Sequence, residues 1–100
     1  MANLLLQITI PAGGKVQLTD TTAGFPVNIP PNTFVQQLTI QDNAANSCRV
    51  GDVTVSATRG ILLTAGGAFG PGSFMNYGTY LSDWWLFGTA GDVIDICYIQ

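Results

Sequence analysis

The sequence predicts an all-β fold, an antiparallel β-sandwich or jelly-roll-like barrel of about seven to eight short strands in a single domain. Three observations point there. Apolar, β-prone runs recur at spacings of roughly ten residues, with Gly, Pro, Asn or Asp between them. No window of eleven residues carries the 3.6-residue period of an amphipathic helix. Charged residues make up only 9% of the chain against 47% hydrophobic. Wet strand faces must therefore be filled by Thr, Gln, Asn, Ser, Gly and Ala. At 100 residues the chain can build a two-sheet core, though not a deep one.

In chain order, residues 3–10 read as the first strand, with Leu4, Leu6, Ile8 and Ile10 on one face and Leu5, Gln7 and Thr9 on the other. The turn residues at 11–14 stop it. Residues 15–19 resume with clean alternation. Residues 20–32 form a Pro- and Gly-punctuated connection in which Phe25, Val27 and Ile29 alternate with Pro and Asn. This is either an extended arm reaching a neighbouring subunit or a long loop pinned by those three anchors. Residues 33–42 are the clearest strand, and the polar cluster 43–47 turns the chain. A strand over 48–55 bends at Gly51-Asp52. A turn at 58–60 leads into the strand 61–64. Residues 65–72 read as a flexible glycine-rich loop and 73–80 as a strand. The final segment, 81–99, reads as a hairpin whose strands, 84–87 and 93–99, flank the turn Gly88-Thr89-Ala90-Gly91-Asp92. Neither of its strands alternates cleanly, so both are expected to bury much of both faces, with a second copy or another protein covering the outer one.

The net charge of −3 arises from six Asp against Lys15, Arg49 and Arg59. Three scattered cations cannot neutralise a phosphate backbone, which argues against nucleic-acid binding. No run approaches the length of a membrane span, and the opening residues lack the basic and apolar regions of a secretory signal. Cys48 and Cys97 fit no zinc or redox spacing and read as buried free thiols, with a disulfide left open. The near absence of charge favours protein–protein packing, since charged residues are depleted at interface cores.

Chemistry is tested by inventory. With neither His nor Glu in the chain, the usual acyl-transfer triad and Glu-based acid–base pairs cannot form. The six Asp sit mostly beside turn residues, where backbone reasons place them. Asp95 is the exception, inside an apolar strand, facing out or paired with Arg49 or Arg59. The expectation is no catalytic residue, no cofactor and no metal; Asp92 and Asp95, three apart, lack a calcium-loop pattern. The glycine-rich 66–72 lacks the Lys and following helix of a phosphate loop. The aromatics crowded into 69–87 suit a packed core with a Trp or Tyr at a subunit interface better than a sugar-stacking platform. The candidate interface residues are Phe25, Val27, Ile29, Trp84, Trp85, Phe87 and Tyr98.

One resemblance follows from the run Phe34-Val35-Gln36-Gln37-Leu38-Thr39-Ile40-Gln41-Asp42, then Val50-Gly51-Asp52 and Gly60-Ile61-Leu62-Leu63. It continues through Leu81-Ser82-Asp83-Trp84-Trp85-Leu86-Phe87-Gly88-Thr89-Ala90-Gly91-Asp92-Val93-Ile94. This order resembles small tailed-phage virion proteins of the capsid decoration (cement) or head-fibre type, over roughly residues 34–99. The resemblance implies a β-sandwich without enzymatic activity that binds an assembled capsid, often as a homotrimer, with the major capsid protein or another virion protein as partner. It implies a virion location after assembly in the host cytoplasm. A tail or fibre component is the alternative within that class; a carbohydrate-binding module using Trp84 or Trp85 is the alternative outside it.

Overall fold

The computed structural model describes residues 3–19, 24–25, 33–73 and 78–99. They form an all-β sandwich of antiparallel sheets, as the periodicities predict. The larger sheet contains β1 (Asn3–Thr9), β3 (Gly24–Phe25), β5 (Gln37–Asp42), β8 (Ala68–Ser73) and β11 (Val93–Ile99), in the order β3-β1-β11-β5-β8. The smaller contains β2 (Lys15–Gln17), β6 (Cys48–Gly51), β7 (Ile61–Leu63) and β10 (Trp85–Phe87), in the order β2-β10-β6-β7. A short pair, β4 (Phe34–Val35) with β9 (Thr79–Tyr80), lies beside them. A single 3-10 turn at Leu81–Asp83 precedes β10.

Alternation explains the packing. Along β5 the odd positions are exposed and Leu38, Ile40 and Asp42 are buried. Along β11, Ile94, Ile96 and Tyr98 point inward. The sheets meet through Leu6, Ile8, Leu38, Ile40, Ile94 and Ile96 on one side and Val16, Cys48, Val50, Leu63 and Leu86 on the other, nearly all without solvent exposure. At about 25 cal/mol per Å² of apolar area removed from water, this two-sheet contact is the main stabilising element.

Residues 81–99 do not form a hairpin. β10 pairs with β2 and β6, whereas β11 pairs with β1 and β5, so the turn at 88–92 is an arch that carries the chain from one sheet to the other. Local residue types suit both outcomes, and the distant partner strands decide. The expectation of two buried faces is likewise corrected. β11 alternates, with Cys97 exposed and Val93, Asp95 and Ile99 half-buried on its outer face.

Other boundaries move for identifiable reasons. The 33–42 run breaks at Gln36, whose N–H donates to Ile99 O at 2.7 Å and lets β4 leave the sheet. The 48–55 run ends at Gly51 because the Asp52 carboxylate accepts the Thr54 N–H at 2.8 Å, closing a local turn that competes with the ladder. The glycine-rich 65–72 is no loop beyond Gly67. It becomes β8, an edge strand with an irregular register opposite Leu38 and Ile40, a position where Pro71 costs no ladder bond. Of the proposed arm, Gly24 and Phe25 pair with β1 at the sheet edge, while Val27 and Ile29 lie outside the described residues.

The crossovers gather at one end. Gly88 N–H donates to Gly14 O, Gly91 N–H to Ile10 O and Ile10 N–H to Asp92 O, each at 2.8 Å, stitching the β1–β2 and β10–β11 connections together. The β7–β8 connection joins the same end, because Gly66 N–H donates to Asp42 O at 2.8 Å and Asp42 N–H donates to Gly67 O at 2.9 Å.

Candidate functional site

The two outer faces differ in character. On the larger sheet the register sets Leu5 opposite Cys97 and Cys97 opposite Thr39, and it sets Gln7 opposite Asp95 and Asp95 opposite Gln41. Leu5 is 67% exposed and Cys97 is exposed. Asp95 carries the formal charge within this three-strand patch, and Gln7 Nε2 donates to its Oδ1 at 3.0 Å. Asp95 thus pairs with an amide and not with Arg49 or Arg59. The patch is apolar at Leu5 and Cys97 and carries one carboxylate, Asp95, so covering it desolvates little charge.

The outer face of the smaller sheet carries the cations. Lys15 Nζ sits 5.3 Å from the Trp85 ring centroid and donates to Val53 O. Arg49 Nε donates to Ala57 O at 3.1 Å and its Nη1 to Gly60 O at 2.9 Å, so the guanidinium staples the 52–60 turn to β6. Arg59 Nε donates to Thr54 Oγ1 at 2.8 Å. Hydrogen bonds from the Thr54 hydroxyl and then its amide hold the Asp52 carboxyl below its ordinary value, and Arg59 adds to this. A shallow groove of about 390 Å³ lies between Phe87, Arg49 and Leu62.

The sequence candidates separate on this frame. Trp85 and Phe87 are half-buried on the outer face of the smaller sheet. Trp84 turns the other way, packing against the core with its ring centroid 5.6 Å from that of Phe69, while its Nε1 donates to Thr79 Oγ1 at 3.2 Å. Tyr98 belongs to the core at 6% exposure, and burial raises its phenol pKa; as an interface residue it is corrected. Phe25 lies on edge strand β3, and Val27 and Ile29 fall outside the described residues. Of the candidates whose side chains are described, Trp85 and Phe87 share the outer face of the smaller sheet, and Trp84 and Tyr98 do not join them. What sequence reasoning missed is Leu5. An apolar residue on the face that also carries Gln7 and Thr9 was its available signal.

Both cysteines are free. Cys48 is buried as expected, its thiol pushed up to about 12 by desolvation and then by the nearby Asp42 carboxylate. Cys97 is exposed, which corrects the expectation of two buried thiols. Its neighbours in register are Leu5 and Thr39, so a β-prone apolar strand here shows part of its apolar character to solvent.

Comparison with protein-family models, with curated proteins and with solved structures finds no match to this chain.

Proposed function

We propose that this chain is a non-enzymatic virion structural protein, a capsid decoration protein that assembles with copies of itself, as a trimer, and binds the major capsid protein through weakly charged surface. The observation that carries the reading is the outer face of the larger sheet, where Leu5 at 67% exposure and exposed Cys97 sit side by side among Thr39, Gln7 and Gln41. Such a face is inexpensive to desolvate and has no charge pattern of its own to steer a phosphate or an ionic ligand. The three cations lie on or beside the opposite sheet and are engaged in local contacts. The resemblance of residues 34–99 to decoration and head-fibre proteins supplies the class of partner.

The sugar-binding alternative has less support. Trp84 rests against the core on one side and lines a surface groove with Gly51 and Asp52, while Lys15 covers one face of Trp85, so the two indoles do not present a shared platform.

Mass spectrometry and cryo-EM of virions whose genome encodes this chain test the proposal through copy number and position. A fixed ratio to the major capsid protein with density on the head supports it; absence from the particle, or a copy number fitting only the tail, overturns it. Contacts of this kind are screened little by salt, so capsid affinity should change by less than about ten-fold between low and high ionic strength. Leu5→Asp, placing a second carboxylate beside Cys97 on this face, should leave the monomer folded and abolish capsid binding.

A further inference from the structure

Three side chains stand in one cross-strand row on the outer face of the smaller sheet. Phe87 on β10 is opposite Arg49 on β6, and Arg49 is opposite Leu62 on β7. Opposed residues of neighbouring strands share a face, with Cβ atoms about 4.5–5.5 Å apart. The row borders the groove of about 390 Å³, to which Ser47 and Thr89 add hydroxyl groups. Arg49 is its unusual member. A guanidinium has five N–H donors. Nε donates to Ala57 O at 3.1 Å and Nη1 to Gly60 O at 2.9 Å, which orients the plane and leaves the remaining donors unpaired among the described residues. Both acceptors are neutral carbonyls, and no carboxylate of the described residues lines the groove, so the positive charge there has no counter-charge.

A half-buried guanidinium held in place by two carbonyls is a preorganised receptor for an anion. Its planar fork matches a carboxylate, and little side-chain freedom is left to lose on binding. The surroundings narrow the choice of anion. Cys48 lies in the same lining, and the Asp42 and Asp92 carboxylates act on it, adding to the rise in its thiol pKa. That standing negative charge penalises a dianion, such as a phosphate monoester, more than a single carboxylate. Phe87 and Leu62 flank Arg49 on either side, and Leu62 is 51% exposed, so hydrocarbon attached to the anion has apolar surface to cover.

We propose that this groove binds a monocarboxylate with an apolar body, its carboxylate on Arg49 and its hydrocarbon against Phe87 and Leu62. That chemistry has two sources, a free aryl or alkyl acid and the last residue of a polypeptide. The site is independent of the capsid reading, which rests on the outer face of the other sheet.

The test is titration of the ¹⁵N-labelled full chain with sodium benzoate at neutral pH, followed by amide shifts, with benzamide and phenyl phosphate titrated alongside. Saturable shifts at Ser47, Gly88 and Thr89 are expected, with a dissociation constant of roughly 1 mM for so small a ligand in an open groove. Benzamide keeps the shape without the charge, and phenyl phosphate adds a second charge; each should bind at least about ten-fold more weakly. Leu62→Glu sets a carboxylate in the groove wall at an exposed position, so it should remove binding and leave the unfolding midpoint little changed. Arg49→Gln should remove binding too, but it also unfastens the 52–60 turn, so Leu62→Glu decides if that variant does not fold. A short peptide ending in phenylalanine with a free carboxyl, beside its C-terminal amide, separates the two sources. Binding by benzoate shows that a free acid suffices, and binding by the free-ended peptide alone assigns the groove to chain ends. No saturable shift with either up to about 20 mM overturns the proposal. Equal affinity for benzamide overturns it as well, since the groove would then be merely apolar. Tighter binding of phenyl phosphate, or unchanged binding by Leu62→Glu, does the same.

Discussion

At the scale of single residues, the two thiols make a sharp pair. Thiolate is the reactive form, and burial holds Cys48 as a thiol up to about pH 12, while Cys97 stands on the outer face. Native protein should therefore take up one maleimide, at Cys97, and a second only in denaturant; mass spectrometry of the labelled peptides reads this directly. Two native labels would show that Cys48 is reached by local opening. Gly60 makes the second residue-scale prediction. It holds φ +127°, and a Cβ there would meet Val55 Cγ2 at 2.8 Å, Val50 O at 3.0 Å and Arg49 Cβ at 3.2 Å. Gly91 also has a positive φ, of +90°, but a Cβ would find nothing within 4 Å. Gly60→Ala should lose roughly 1–3 kcal/mol or more in urea unfolding, and Gly91→Ala clearly less, because only the first adds a clash to the backbone strain.

At the scale of elements, strands were legible and their partners were not. β1, β2 and β5 fall within the runs that alternation marks, because period-two burial is written into neighbouring residues such as Leu38, Ile40 and Asp42. The arch at 88–92 was not legible as an arch. Gly88, Gly91 and Asp92 permit a reversal within one sheet or a step between two, and the choice belongs to β2, β6, β1 and β5, tens of residues away. β8 was hidden by its own composition, since Gly and Pro read as loop residues although an edge strand tolerates both. β11 also carries a prediction. Ile96 is fully buried and faces Leu6 on one side and Ile40 on the other. Ile96→Ala should cost about 2–5 kcal/mol, as large-to-small changes in packed cores do, and Leu62→Ala, half exposed on β7, far less.

At the scale of the whole molecule, the sandwich separates its roles by surface. The inward faces hold the chain together, the outer face of the larger sheet carries Asp95 among apolar and neutral polar residues, and the cations crowd the far side. The composition anticipated the neutral surface but not that the two faces would divide it. One consequence concerns how the chain is made. β11 lies in the middle of the larger sheet yet comes after every strand it joins, so until Val93–Ile99 is synthesised β1 and β5 have no common partner and Leu6, Ile8, Leu38 and Ile40 lie open. Non-local pairing of this kind is slow and exposes apolar surface. A nascent chain stalled before Val93 should be cut readily by protease, and one extended past Ile99 with room to leave the ribosomal tunnel should resist. Protection before β11 emerges would mean that the first ten strands already form a stable unit. The strand that closes the sheet is thus also the timer of its folding, and whatever shields the unfinished edges of β1 and β5 must act within the interval before it arrives.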